Sequence, residues 1–328
     1  MLVRLFRGTG PGLVFLMLLA AAGLWTNVWL NPETVDMTPV QGTMPLWDVL
    51  QNLFSSSPQQ RIIVSFVIML LMGLLLIRFN ISEFFINRRT FLPGLLYIMI
   101  FSVFQRYMVF NPALVAALLI TIAVWRMMGS YRQNGVAYSF FDAALITSTA
   151  GLFYADAVWF LALVFIGTFL LRSPDLREIF IALTGALLPW IFLYAIWFLT
   201  GKNLADLNTL ILNNLFEEAA PVLWSRTLII LLGVLGLNLI IALYVVFADM
   251  TTKKVKSRKT FAMLLWMFAI STAVFFFVPS ASAEIAAIAA VPAVFVISDY
   301  YVFARKLLLP EILFALLIIM IVVARIWI

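Results

Sequence analysis

"SVFQRYMVFNPALVAALL", residues 102–119, is apolar on both sides of a single turn. Asn111 is suited to cap a helix that Pro112 begins, because Asn accepts from the first free backbone N–H groups and Pro needs none. One apolar helix therefore ends and another starts within a few residues. A helical hairpin of this kind suits hydrocarbon rather than water. Within it stands one guanidinium, Arg106.

The whole chain follows the same rule. Of its 328 residues 65% are hydrophobic and 11% charged, and the mean hydropathy is +1.10. That balance excludes a soluble core with a solvated shell. A bilayer crossing takes about 20 apolar residues, with every backbone group satisfied inside the segment. The expected fold class is all-α, a polytopic transmembrane helical bundle forming one domain over 1–328. Long unbroken apolar runs exclude a β-barrel. The chain has no Cys and no His, so disulfides, thiolate chemistry, imidazole catalysis and the usual zinc or haem ligands are excluded. No cofactor is expected, and the one metal the composition admits is a divalent cation held by oxygen. The net charge of +6 reads as membrane topology and not as nucleic-acid binding.

Eleven apolar segments are predicted, near 11–30, 62–79, 92–109, 112–128, 138–153, 157–171, 179–200, 226–248, 260–278, 285–304 and 309–327. The first, behind "MLVRLFR", is read as an uncleaved helix that sets orientation. With the N-terminus in the cytoplasm of a bacterial inner membrane, sixteen of the 21 basic residues fall in cytoplasmic connections, including Arg88, Arg89, Arg126, Arg172, Lys253, Lys256 and Lys259. That satisfies the positive-inside rule. The exceptions are Arg61, Arg106, Lys202, Arg226 and Arg325, all near outer helix ends. An odd number of spans places the C-terminus in the periplasm.

The same map puts Glu33, Asp36, Asp48, Asp156, Asp206, Glu217, Glu218 and Glu284 on the outer side. Two outer segments are long enough to fold. In 31–61, Leu46, Val49, Leu50 and Leu53 recur at helical spacing beside Trp47, which predicts an amphipathic interfacial helix. In 201–225, Leu207, Leu210, Ile211 and Leu215 share one face and predict a second. Residues 92–132 and 138–177 read as duplicated short hairpins, with outer turns "VFNPAL" and "LFYADAV". Asp156 is expected to cap the helix after its turn.

Two intramembrane charges have two readings each. Arg106, in the turn with Gln105 and Tyr107, either snorkels to the headgroups or binds a lipid phosphate through the bidentate fork that Lys lacks. Asp142 either pairs with Arg126 or Arg132 or belongs to a proton or cation relay. Arg325 is expected to be an anchor, and "TTKKVKSRK", 251–259, a cytoplasmic loop attracted to anionic lipid.

The block "RFNISEFFINRRTFLPGLLYIMIFSVFQRYMVFNPALVAALLITIAVWRMMGSYRQ", with "FDAALITSTAGLFYADAVWFLALVFIGTFLLRSPDLREIFIALTGALLPW" after it, resembles an uncharacterised family of multispanning inner-membrane proteins from Bacteroidota. More remotely, the layout resembles membrane glycosyltransferases of the GT-C type, which draw sugars from polyprenyl-phosphate carriers. That resemblance implies an acidic base or metal ligand in the first outer loop, a position that Glu33, Asp36 and Asp48 fill. Under this reading Arg106 and Arg226 stabilise the departing lipid phosphate, and membrane lipids are the partners. The alternative is a non-catalytic membrane subunit of an envelope assembly or export complex, whose partners are other envelope proteins. Transport ranks third, since broken helices with polar centres are not evident.

Overall fold

The computed structural model describes residue 8 and residues 10–32, 44–54, 57–103, 108–131, 137–171, 176–219, 225–304 and 308–327. Among them are thirteen α-helices and no strand: α1 Pro11–Leu30, α2 Pro45–Phe54, α3 Pro58–Glu83, α4 Leu92–Phe101, α5 Pro112–Gly129, α6 Ala137–Gly151, α7 Leu161–Leu171, α8 Leu176–Leu199, α9 Leu204–Phe216, α10 Arg226–Ala248, α11 Val255–Phe277, α12 Ala286–Phe303 and α13 Leu308–Trp327. Short 3-10 turns, Ala155–Phe160 and Ala283–Ile285, lead into α7 and α12.

Eight helices (α1, α3, α5, α8, α10, α11, α12 and α13) are long and apolar enough to cross a membrane. The other three expected crossings correspond to short helices. α4 has 10 residues, α6 has 15 and α7 has 11. At 1.5 Å per residue, α4 is about 15 Å long, half the hydrocarbon thickness. All ten of its residues are buried, so it is enclosed by protein instead of facing lipid.

Local chemistry sets several boundaries. Ser57 caps α3 by accepting from Gln60 N at 3.3 Å, with Pro58 following. Phe84 ends α3 in the left-handed region, at φ 49°, and its N–H returns to Asn80 O at 2.8 Å. Asn111 caps α5 by accepting from Ala113 N at 2.7 Å.

α12 is the centre of the bundle. Its span is 83% buried, whereas the other seven range from 22% to 56%. It packs against α4, α5, α10 and α11. Midway along it Phe295 meets Phe85 edge to face at 5.0 Å and Phe79 at 5.6 Å. The Tyr301 hydroxyl donates to the Asn238 side-chain oxygen of α10.

Two crossings depend on glycine. Where α3 meets α4, a Cβ on Gly94 would stand 2.4 Å from Gly73 O. Where α6 meets α8, a Cβ on Gly185 would stand 2.5 Å from Phe141 O. Ser148 Oγ donates across that second crossing to Ala186 O at 2.6 Å. Small residues serve here because lipid competes equally for apolar side chains, which leaves close contact and hydrogen bonds to hold the helices together.

α2 and α9 cap one end of the bundle. α9 buries the predicted face, with Leu207 fully enclosed and Leu210, Ile211 and Leu215 packed on the bundle. α2 buries only part of its predicted stripe, with Leu46 and Leu50 packed on the bundle. Trp47 is buried against Phe110, with ring centroids 4.5 Å apart, while Val49 and Leu53 are exposed. The aromatic contact outweighs the aliphatic stripe in choosing which side faces protein.

Gly94→Val should lower the stability of the detergent-solubilised protein by about 2 kcal/mol, typical of overpacking. Gly233→Ala, where a Cβ meets nothing within 4 Å, should hold or raise the melting temperature. Thermal unfolding of the two variants side by side checks the contrast.

Candidate functional site

At the α2/α9 end, the turn before α7 and the turn before α12 bring together a buried polar group. Tyr154, Asp156, Ser280, Ser282 and Glu284 are each no more than 5% exposed. Ser280 Oγ lies 2.8 Å from both Asp156 Oδ1 and Leu215 O of α9. Ser282 Oγ accepts from Glu284 N at 3.3 Å. The roof is tied on by backbone bonds, Leu46 N to Leu152 O at 3.2 Å and Ala219 N to Pro279 O at 3.0 Å.

The structure corrects the expected cap. Asp156 is the second residue of its 3-10 turn, whose N-cap is Tyr154 without a side-chain bond, and the Asp156 carboxylate turns inward to Ser280. Burial pushes the Tyr154 hydroxyl well above its ordinary range, and the Asp156 and Glu284 carboxylates push it the same way. It therefore stays a protonated donor, with the Asp156 and Ser282 side chains as its polar neighbours.

Beside this group is an apolar cavity of about 280 Å³, near the lower bound of small-ligand pockets. Five helices contribute to its wall, through Phe101, Leu231, Leu239, Phe268, Ala290 and Ile321 among others. The alanine-rich start of α12 creates the space. Ala286, two residues past Glu284, lines the cavity as well, so the polar group and the cavity share one corner of the bundle.

Charges gather at the opposite end. Lys253 Nζ donates to both carboxylate oxygens of Asp299, at 2.8 and 2.7 Å, with the side chains only 8% and 3% exposed. The same ammonium lies 4.7 Å from the Phe261 ring centroid. Lys256 stands 2.7 Å from Glu83 Oε2, and Trp125 Nε1 donates to Glu83 Oε1 at 3.2 Å. Arg126 reaches Asp142 with Nη2 at 2.8 Å and Nε at 2.9 Å, at a more exposed position. Asp142 is thus in an ion pair.

Of the residues singled out from sequence, Glu33, Asp36, Gln105, Arg106 and Tyr107 lie outside the described residues. Asp48 is half-buried in the first turn of α2. Arg226 is exposed as the first residue of α10, about 7.5 Å along the helix from the cavity residue Leu231. Among the described residues no three acidic side chains converge as a metal would require.

Sequence reading passed over Asp299 and Glu83. The available signal was an acid inside or directly after an apolar run, "VFVISDYYVF" and "RFNISE", which marks an intramembrane charge in need of a partner. No comparable signal brings Tyr154 to Glu284, since their meeting depends on how two distant turns pack.

A family model described as a family of unknown function (DUF6427) matches residues 44–326. No curated protein and no solved structure matches the chain.

Lys253→Met should cost about 3–5 kcal/mol, because it strands the buried Asp299 carboxylate. The double variant Lys253→Met/Asp299→Leu should recover most of that loss, and Lys254→Met, at an exposed position, should change little. Unfolding midpoints of these variants together with Asp299→Leu measure the coupling.

Proposed function

Because the chain belongs to the DUF6427 family, a family of unknown function, we propose a role from its own geometry: an eleven-span inner-membrane protein that binds a long-chain phosphate lipid at its outer face. The apolar cavity carries this reading. Its wall has the length and chemistry for part of a polyprenyl or acyl chain, and it lies at the end of the bundle that bears α2 and α9.

The orientation comes from the basic residues. With the N-terminus in the cytoplasm, the Glu83 and Lys253 networks face the cytoplasm, and the cavity, the α2/α9 roof and Arg226 face outward. Arg226 begins α10 above the cavity wall. Gln105, Arg106 and Tyr107 come two to four positions after the cavity residue Val103 in sequence, and Arg106 joins Arg226 as a phosphate partner in this reading. In a GT-C-like enzyme the acids Glu33, Asp36 and Asp48 would take the acceptor's proton. Lipid binding itself does not depend on that chemistry.

Filling the cavity tests the reading without removing a charge. Ala290→Leu adds three carbons to open space, so the melting temperature should hold or rise, while affinity for a long-chain prenyl phosphate should fall about tenfold. Arg226→Gln should weaken binding severalfold. Undiminished binding in a folded Ala290→Leu protein would locate the lipid elsewhere. If the wild type binds no such lipid, the alternative of a non-catalytic subunit of an envelope complex takes its place. Reporter fusions at Lys259 and Ile328 should read cytoplasmic and periplasmic, respectively.

A further inference from the structure

We propose that Arg325 is a further phosphate-binding group of this site, beside Arg226, a proposal that rests on the reading that a lipid chain occupies the cavity. A snorkelling anchor keeps its charged head at the surface. Arg325 does the opposite, since only 9% of the residue is exposed. Its guanidinium has five N–H donors. Nε donates to the backbone carbonyl of Leu24 in α1 at 2.6 Å, whereas Nη1 and Nη2 are buried and meet no acceptor among the described residues. Those two nitrogens form the fork that grips two oxygens of a phosphate at once. A buried cation with such a fork in an apolar setting calls for an anion.

Its position ties the fork to the cavity. Ile321, one turn earlier on the same face of α13, is part of the wall. Trp25, next to Leu24, donates its indole N–H to Ser102 Oγ at 2.9 Å. Ser102 stands between Phe101 and Val103, which also belong to the wall. The α1–α13 hydrogen bond that holds the guanidinium is therefore a neighbour of the cavity wall, one helical turn from Ile321. The ligand arrives from the bilayer, because Arg325 ends a helix apolar enough to cross a membrane, and the nearby Ile319 and Val322 expose large apolar surfaces. A phosphate on a long hydrocarbon chain fits both halves of this site.

The test compares a long-chain prenyl phosphate with the corresponding prenyl alcohol, each bound to purified full-length protein in mixed micelles. Wild type should prefer the phosphate by about tenfold, the scale of a bidentate charged contact. Arg325→Met should lower that ratio severalfold with alcohol binding unchanged, and Arg325→Lys should leave an intermediate preference. A ratio undiminished in folded Arg325→Met would overturn the assignment, as would a wild type indifferent to the phosphate. If the methionine variant does not fold, the lysine variant decides: a full preference there rules out the fork. Millimolar inorganic phosphate should not displace the lipid, and displacement would mean that the fork takes a soluble anion instead. Ala290→Leu separates the two readings. Loss of both probes in that variant supports the cavity whatever Arg325 does, and retention of both removes the cavity reading itself.

Discussion

Enclosing α12 is the constraint on which the other contacts depend. Lipid solvates an apolar helix as well as a neighbouring helix does, so burial alone cannot hold α12 at the centre. Specific ties and close contacts hold it. Tyr301 bonds Asn238, Tyr97 Oη donates to Ala287 O at 3.3 Å, and Lys253 clamps Asp299. The short, wholly buried α4 fits beside α12 because Gly73 and Gly94 let it approach α3 so closely. A longer or bulkier α4 would push the long helices apart.

The same enclosure explains the cavity. The first turns of α12 are rich in alanine, including Ala286, Ala287, Ala289, Ala290 and Ala293. Alanines facing the leucines of α10 and Phe268 of α11 do not fill the space between helices that are held apart elsewhere. Natural interiors keep few voids of this size. Its location between the polar corner at Glu284 and the α1–α13 seam makes it the part of the molecule best suited to hold a ligand.

At the Lys253 end, Asp299 pairs with Lys253, and Glu83 meets Lys256 and Trp125. These pairs fix the loop between α10 and α11 against α3 and α12. At the other end, the Ser280 hydroxyl meets Asp156, and the Ser282 hydroxyl accepts from the Glu284 backbone N–H, under the roof of α2 and α9.

The sequence by itself determined the class. Hydropathy and long unbroken apolar runs dictate an all-helical membrane bundle, because an apolar helix satisfies its own backbone in hydrocarbon. Caps such as Asn111 and amphipathic faces such as that of α9 were legible too, since they depend on neighbours a few residues apart. The side of α2 that faces protein was not legible, because Phe110, more than fifty positions away, selects Trp47. Nor was the place of Arg325, which near a chain end reads as an anchor until α1 packs beside it and offers Leu24 O. Only the tertiary structure decided these, for a physical reason: periodicity records which residues avoid water, but inside a bilayer it does not record which helix each will meet.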